Sequence, residues 1–161
     1  MWSTSLKVSR EQLLATLDQA YDRRSWHGTN LRGSLRGVTA RQASWRPAPK
    51  RHNIWEEMVH AAYWKYVAWR RLTGEKRGSF ALKGSNWFTR PALVGQVLSD
   101  LPDRAWRADL SLLARTHRLL RDAIERAPQR DLDRHAHLLT GIVAHDLYHA
   151  GQIQLLKKLA R

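Results

Sequence analysis

The chain has 161 residues and no cysteine, and its 28 Lys or Arg against 14 Asp or Glu give a formal net charge of +14. Disulfides, thiolate metal sites and cysteine nucleophiles are therefore excluded: a metal must use imidazole, carboxylate or backbone oxygen, and any thiol must come from outside. No apolar run of about 18 residues occurs and the first residues carry no leader pattern, so no membrane span is expected and a cytoplasmic protein is the default.

A chain of this length fits one domain, residues 1–161, with a core large enough to need no staples. Four helices can be read from period and punctuation. The first follows Ser9, which forms a capping-box pattern with Gln12; its stripe runs Leu13, Leu17, Ala20, Tyr21 and on toward Trp26, before Gly28. Residues 29–51 read as a connection in which Thr39 to Ala43 can form one helical turn, while Pro47 and Pro49 forbid regular structure after it. A second helix starts at Asn53, with Glu56 three residues on, and ends at Gly74. Residues 75–91 form another long connection, and its Trp87–Phe88 pair argues that part of it packs down over something.

The third helix runs from near Pro102 to Ala127, with the stripe Trp106, Leu110, Leu113, His117, Leu120 and Ile124. The fourth spans about Ala136 to Leu159, with Leu138, Ile142, Ile153 and Leu156 toward the core. No segment alternates as a strand. The predicted fold is all-α, an antiparallel four-helix bundle with long connections after the first two helices. Bundle packing and a dimer seam account for most of the eight tryptophans (2, 26, 45, 55, 64, 69, 87 and 106).

Charge is uneven. Arg23 to Arg51 holds eight basic residues and no acid; Lys65 to Arg90 holds seven basic residues and only Glu75. These stretches read mainly as solvated surface. With no helix-turn-helix or zinc-finger pattern, a nucleic-acid partner ranks below a small-molecule substrate.

Among the eight histidines, His145 and His149 stand apart. Four residues along a helix is about 40° of rotation and about 6 Å of rise, so both imidazoles leave one face and can converge on an ion. Gln152 shares that face, and Leu138, Ile142 and Leu156 continue it, so the polar trio interrupts a core-facing row. Buried imidazoles without partners would cost about 1–3 kcal/mol each, which a metal or a hydrogen-bond network must offset. The third ligand must come from another helix. His60, near Tyr63, Trp64 and Val67 and one turn after Glu56, is one candidate; His117 on the third stripe is another, and spacing does not separate them.

The pairing of N-I-W-E-E-M-V-H-A-A-Y-W-K (residues 53–65) with H-D-L-Y-H-A-G-Q-I (residues 145–153) resembles the DinB/YfiT-like family of metal-binding four-helix bundles. Its last helix carries H-x-x-x-H-x-G-Q and its second a single histidine in an aromatic context. The resemblance implies the ligand set His60, His145 and His149, and leaves His117 as a core or rim residue. It also implies a homodimer and a metal-dependent enzyme using a low-molecular-weight thiol, as in thiol transferases and maleylpyruvate isomerases. Three imidazoles leave coordination positions open, as catalytic rather than structural sites do, and suit a divalent transition metal, zinc or nickel first. Arg51 or Arg90 could receive an anionic thiol or substrate, and Trp87 would help wall the cavity. A non-catalytic metal- or ligand-binding stress protein is the alternative, as is a metal-dependent hydrolase with Glu56 as base.

Overall fold

The computed structural model describes residues 7–91 and 101–160. Seven helices and no strand occur among the described residues: α1 (Arg10–Tyr21), α2 (Leu31–Ser34), α3 (Ala40–Ser44), α4 (Ile54–Thr73), α5 (Leu101–Arg126), α6 (Gln129–Arg134) and α7 (Ala136–Leu159). Local chemistry sets several of their ends. Ser9 Oγ accepts from Gln12 N at the start of α1. At α4, Asn53 Oδ1 accepts from Glu56 N at 2.9 Å while Glu56 Oε2 accepts from Asn53 N at 3.4 Å, a reciprocal capping box. Gly74 then closes α4 at φ +69°, where a Cβ would be strained.

Two expectations about α1 and its connection need correction. The helix ends at Tyr21, and Trp26 is fully exposed rather than part of the stripe. The chain instead turns at Asn30, whose Oδ1 caps α2 by accepting from Gly33 N while its Nδ2 donates to Arg23 O. Both α2 and α6 are short helices that periodicity does not reveal; α3 falls where Thr39 to Ala43 allow a single turn. Trp2 lies outside the described residues.

An all-antiparallel arrangement is also not what the helices adopt. Trp55 on α4 meets Trp106 and donates its indole N–H to Asp109 on α5, while Lys65 meets His117 further along both helices. Partners thus advance together, and α4 and α5 run in the same direction. The connection makes this arrangement feasible by retracing α4. Phe80 packs on Tyr66 and Tyr63, Trp87 on His60, and Arg90 N donates to Glu56, so the chain returns to the start of α4 before α5 begins. By contrast α1 opposes α5, with Tyr21 on His117 and Asp18 on Arg121. Similarly α7 opposes α4: Ile153 and Leu156 join the cluster of Trp55 and Met58, while Leu139 and Ile142 join that of Ala68 and Leu72.

Those two apolar clusters are separated by a polar layer. Along α5 and α7 the clusters are interrupted at His117 and Asp146, and Lys65 of α4 reaches both. Lys65 Nζ donates to Asp146 Oδ2 at 2.5 Å and to His117 Nδ1 at 3.3 Å, and the Lys65 and Asp146 side chains are wholly enclosed. Lys65 is therefore not a surface charge, contrary to its place in a basic stretch. On α7 the metal-candidate His145 directly precedes Asp146.

Candidate metal centre

His60 on α4 and His149 on α7 are buried, and His145 is half-buried beside them. His145 Nε2 stands 3.1 Å from His60 Nε2 and 3.0 Å from His149 Nε2, and one ligand nitrogen of each residue lies within 4.8 Å of the others. Nitrogens around an ion held at about 2.1 Å are separated by roughly 3.0–3.4 Å, so this spacing fits a shared cation.

The outer ring nitrogens decide what the inner ones can do. His60 Nδ1 faces the carbonyl of Asn86 at 2.8 Å, which can only accept, so Nδ1 carries the proton and Nε2 presents a lone pair. His149 Nδ1 donates to Glu57 Oε2 at 2.5 Å, and in the neutral ring its Nε2 is likewise bare. His145 Nδ1 is buried with no hydrogen-bond partner among the described residues. One proton on His145 Nε2 cannot satisfy both neighbours along straight hydrogen bonds. A cation satisfies all three lone pairs at once.

The electrostatics hold the His60 and His145 rings neutral. Burial lowers the His60 pKa to about 4, even though the Asn86 carbonyl opposes the shift. Burial lowers that of His145 to about 3, with His149 and His60 adding to the effect. Neutral imidazole is the form that binds metal.

The sequence profile of the DinB superfamily matches residues 23–153. This chain belongs to the DinB superfamily. No curated protein and no solved structure matches it. In this DinB-superfamily chain the profile spans both His60 and the H-x-x-x-H pair.

Trp87 closes one side of the centre. Its indole lies flat between His60, at 3.8 Å between ring centroids, and His52, at 3.6 Å. Beyond it a pocket of about 310 Å³ is lined by Arg46, Lys50, His52 and Glu56. Asn86 supports the wall from the connection: its carbonyl holds His60, its Oδ1 accepts from Trp64 Nε1 at 3.0 Å, and its φ is +63°.

Several residues singled out from sequence are placed elsewhere. Glu56 is engaged away from the three histidines. It accepts from Arg46, from Asn53 N and from Arg90 N, and it meets His52 Nδ1. Burial raises its pKa, but these donors outweigh burial and hold the carboxyl below its usual range. A carboxylate so engaged is a poor base. Arg90 is committed to Asp109 at 2.6 Å and lies over the Trp55 ring. Gln152 is half-buried and makes no hydrogen bond to the three histidines. His117 stands apart, stacked on Tyr21 at 3.7 Å and bonded to Lys65. Sequence reasoning missed Glu57, Asn86 and His52. Glu57 carried a usable signal, since an acid three residues before a ligand histidine can reach across to a facing helix.

Proposed function

We propose that His60, His145 and His149 hold one divalent transition metal, zinc or nickel, in a single four-helix domain that spans residues 1–161 and pairs as a homodimer. The observation that carries this reading is the convergence of three imidazole nitrogens, with the outer nitrogens of His60 and His149 held by Asn86 and Glu57 and that of His145 buried without a hydrogen-bond partner among the described residues. Three protein ligands are too few for a closed structural site, so the reading extends to an enzyme acting on a small molecule, using a low-molecular-weight thiol in a transferase-like reaction. Bound there, the ion would supply Lewis acidity and lower the pKa of a coordinated thiol or water. The chain's own part is to orient the rings through Asn86 and Glu57. Trp87 screens the His60 face from water, and Lys50 and His52 present cationic or hydrogen-bonding groups to the substrate.

The test combines elemental analysis with turnover. Purified protein should contain about one metal per chain, lost in His60→Ala, His145→Ala and His149→Ala and retained in His117→Ala. Conjugation of bacterial thiols with an electrophile should exceed the His149→Ala background. Metal without turnover would favour a non-catalytic binding protein, and thiol-independent ester cleavage a hydrolase. Loss of metal in His117→Ala but not His60→Ala would overturn the ligand set.

A further inference from the structure

A second cavity lies at the other end of α1. It has a volume of about 1000 Å³ and is bounded by the α1–α2 corner and the middle of α5. Arg23, Arg24, Arg32 and Arg36 all line it, with Asp22 as the only acid among its lining residues. Arg23 and Arg32 share Asp22, at 3.8 and 3.3 Å, whereas Arg24 and Arg36 have no acidic partner among the described residues. Four guanidinium groups and one carboxylate leave this rim strongly cationic.

The backbone that carries these arginines is pinned. Asn30 ties the corner by donating to Arg23 O at 2.9 Å and accepting from Gly33 N at 2.8 Å. Lys157 on α7 donates to the carbonyls of Ser34 and Arg36 at 2.9 and 3.2 Å, which neutralises the end of α2 and holds it against α7. Gathering like charges costs folding energy through mutual repulsion, and an anion relieves it. Guanidinium groups suit phosphate oxygens, which they can bind in pairs. The floor is different in kind, since Leu35 and Leu110 present hydrocarbon to the same cavity. A cationic rim over an apolar floor matches a ligand with phosphates at one end and an organic body at the other. The volume lies at the upper end of the range of about 300–1,000 Å³ usual for small-molecule sites.

We infer that the cleft between α1, α2 and α5 binds an organic polyphosphate of nucleotide size, with Arg24 and Arg36 as its principal phosphate contacts. The site is separate from the three-histidine centre and stands whether or not that centre binds metal.

The experiment is calorimetric titration of the full-length protein with ATP. The expected result is saturable one-site binding that weakens with salt and drops at least tenfold in Arg24→Gln/Arg36→Gln. It should be unchanged in Arg130→Gln/Arg134→Gln, which removes the same charge on α6, and in His149→Ala. Tripolyphosphate should bind at least threefold more weakly than ATP. Absence of ATP binding would overturn the proposal, as would an equal loss in the α6 pair, which would mean net charge alone. Loss in His149→Ala would place the nucleotide on the metal instead. Equal affinity for tripolyphosphate would remove the organic body from the ligand. A single-stranded 12-mer DNA that displaced ATP at far lower concentration would reassign the cleft to nucleic acid.

Discussion

Glu57 on α4 accepts a hydrogen bond from His149 Nδ1 on α7 at 2.5 Å, so one helix sets the tautomer of a histidine on another. The neighbouring Glu56 faces away, toward Arg46 and the start of its own helix. Two adjacent glutamates thus divide the work, one supporting the candidate metal centre and one capping the helix that carries it.

That division predicts a selective defect in Glu57→Ala. Removing a carboxylate that orients a ligand histidine typically weakens metal binding about 10–100-fold. Competition with a chromogenic chelator would measure it, and circular dichroism would check that the helices persist. Unchanged affinity would remove Glu57 from the centre.

The enclosed Lys65–Asp146 pair makes a sharper stability prediction. Lys65→Met leaves a buried carboxylate without its cation and should cost about 3–5 kcal/mol. The double variant Lys65→Met/Asp146→Leu should recover most of that loss, because neither charge is then stranded. Urea unfolding of the metal-free proteins would report both values. A double variant no better than the single would mean that the pair itself is indispensable.

Acid should destabilise the protein through His117. Burial lowers its pKa from 6.5 to about 2, assisted by the charges of Lys65, Arg121 and Arg118, while Tyr21 stacks on the ring and Asp18 faces its Nε2 at 3.9 Å. The unfolded state then binds a proton that the folded state does not. Its contribution is complete above pH 6.5 and is lost as pH falls toward 2, at up to about 1.4 kcal/mol per pH unit. His117→Phe should flatten this part of the stability–pH curve, measured on metal-free protein between pH 7 and 4. An unchanged slope would assign the acid sensitivity to other groups.

Asn86 occupies the left-handed region, and its carbonyl restrains His60. Asn86→Gly preserves that conformation and should keep metal affinity within about threefold, despite losing the bond to Trp64. Asn86→Val disfavours positive φ and should weaken affinity further by displacing the carbonyl. If the two variants behave alike, the backbone conformation is not what positions His60.

Much of this was legible in the chain. The caps at Ser9 and Asn53, the stop at Gly74 and the span of α7 depend on neighbours a few residues apart, so local chemistry reveals them. The His145–His149 pair is equally local, because helical geometry alone places both on one face. Short α2 and α6 were not legible, since one or two turns display no period. The role of Lys65 was hidden too: sequence shows its charge but not the aspartate 81 residues away that meets it.

Spacing left His60 and His117 as equal candidates to join the α7 pair, because each sits on an inward stripe. The path of the chain after Gly74 makes the difference in space. It runs back along α4, so that α5 begins beside α4 and lies parallel to it, which puts His117 against Lys65 and Tyr21. The same return brings Asn86 and Trp87 onto His60. Helix identity and the facing of side chains follow from short-range periodicity, which the sequence carries openly. Which faces meet depends on the direction of a long connection, and that is determined by many weak contacts made only once the chain has folded.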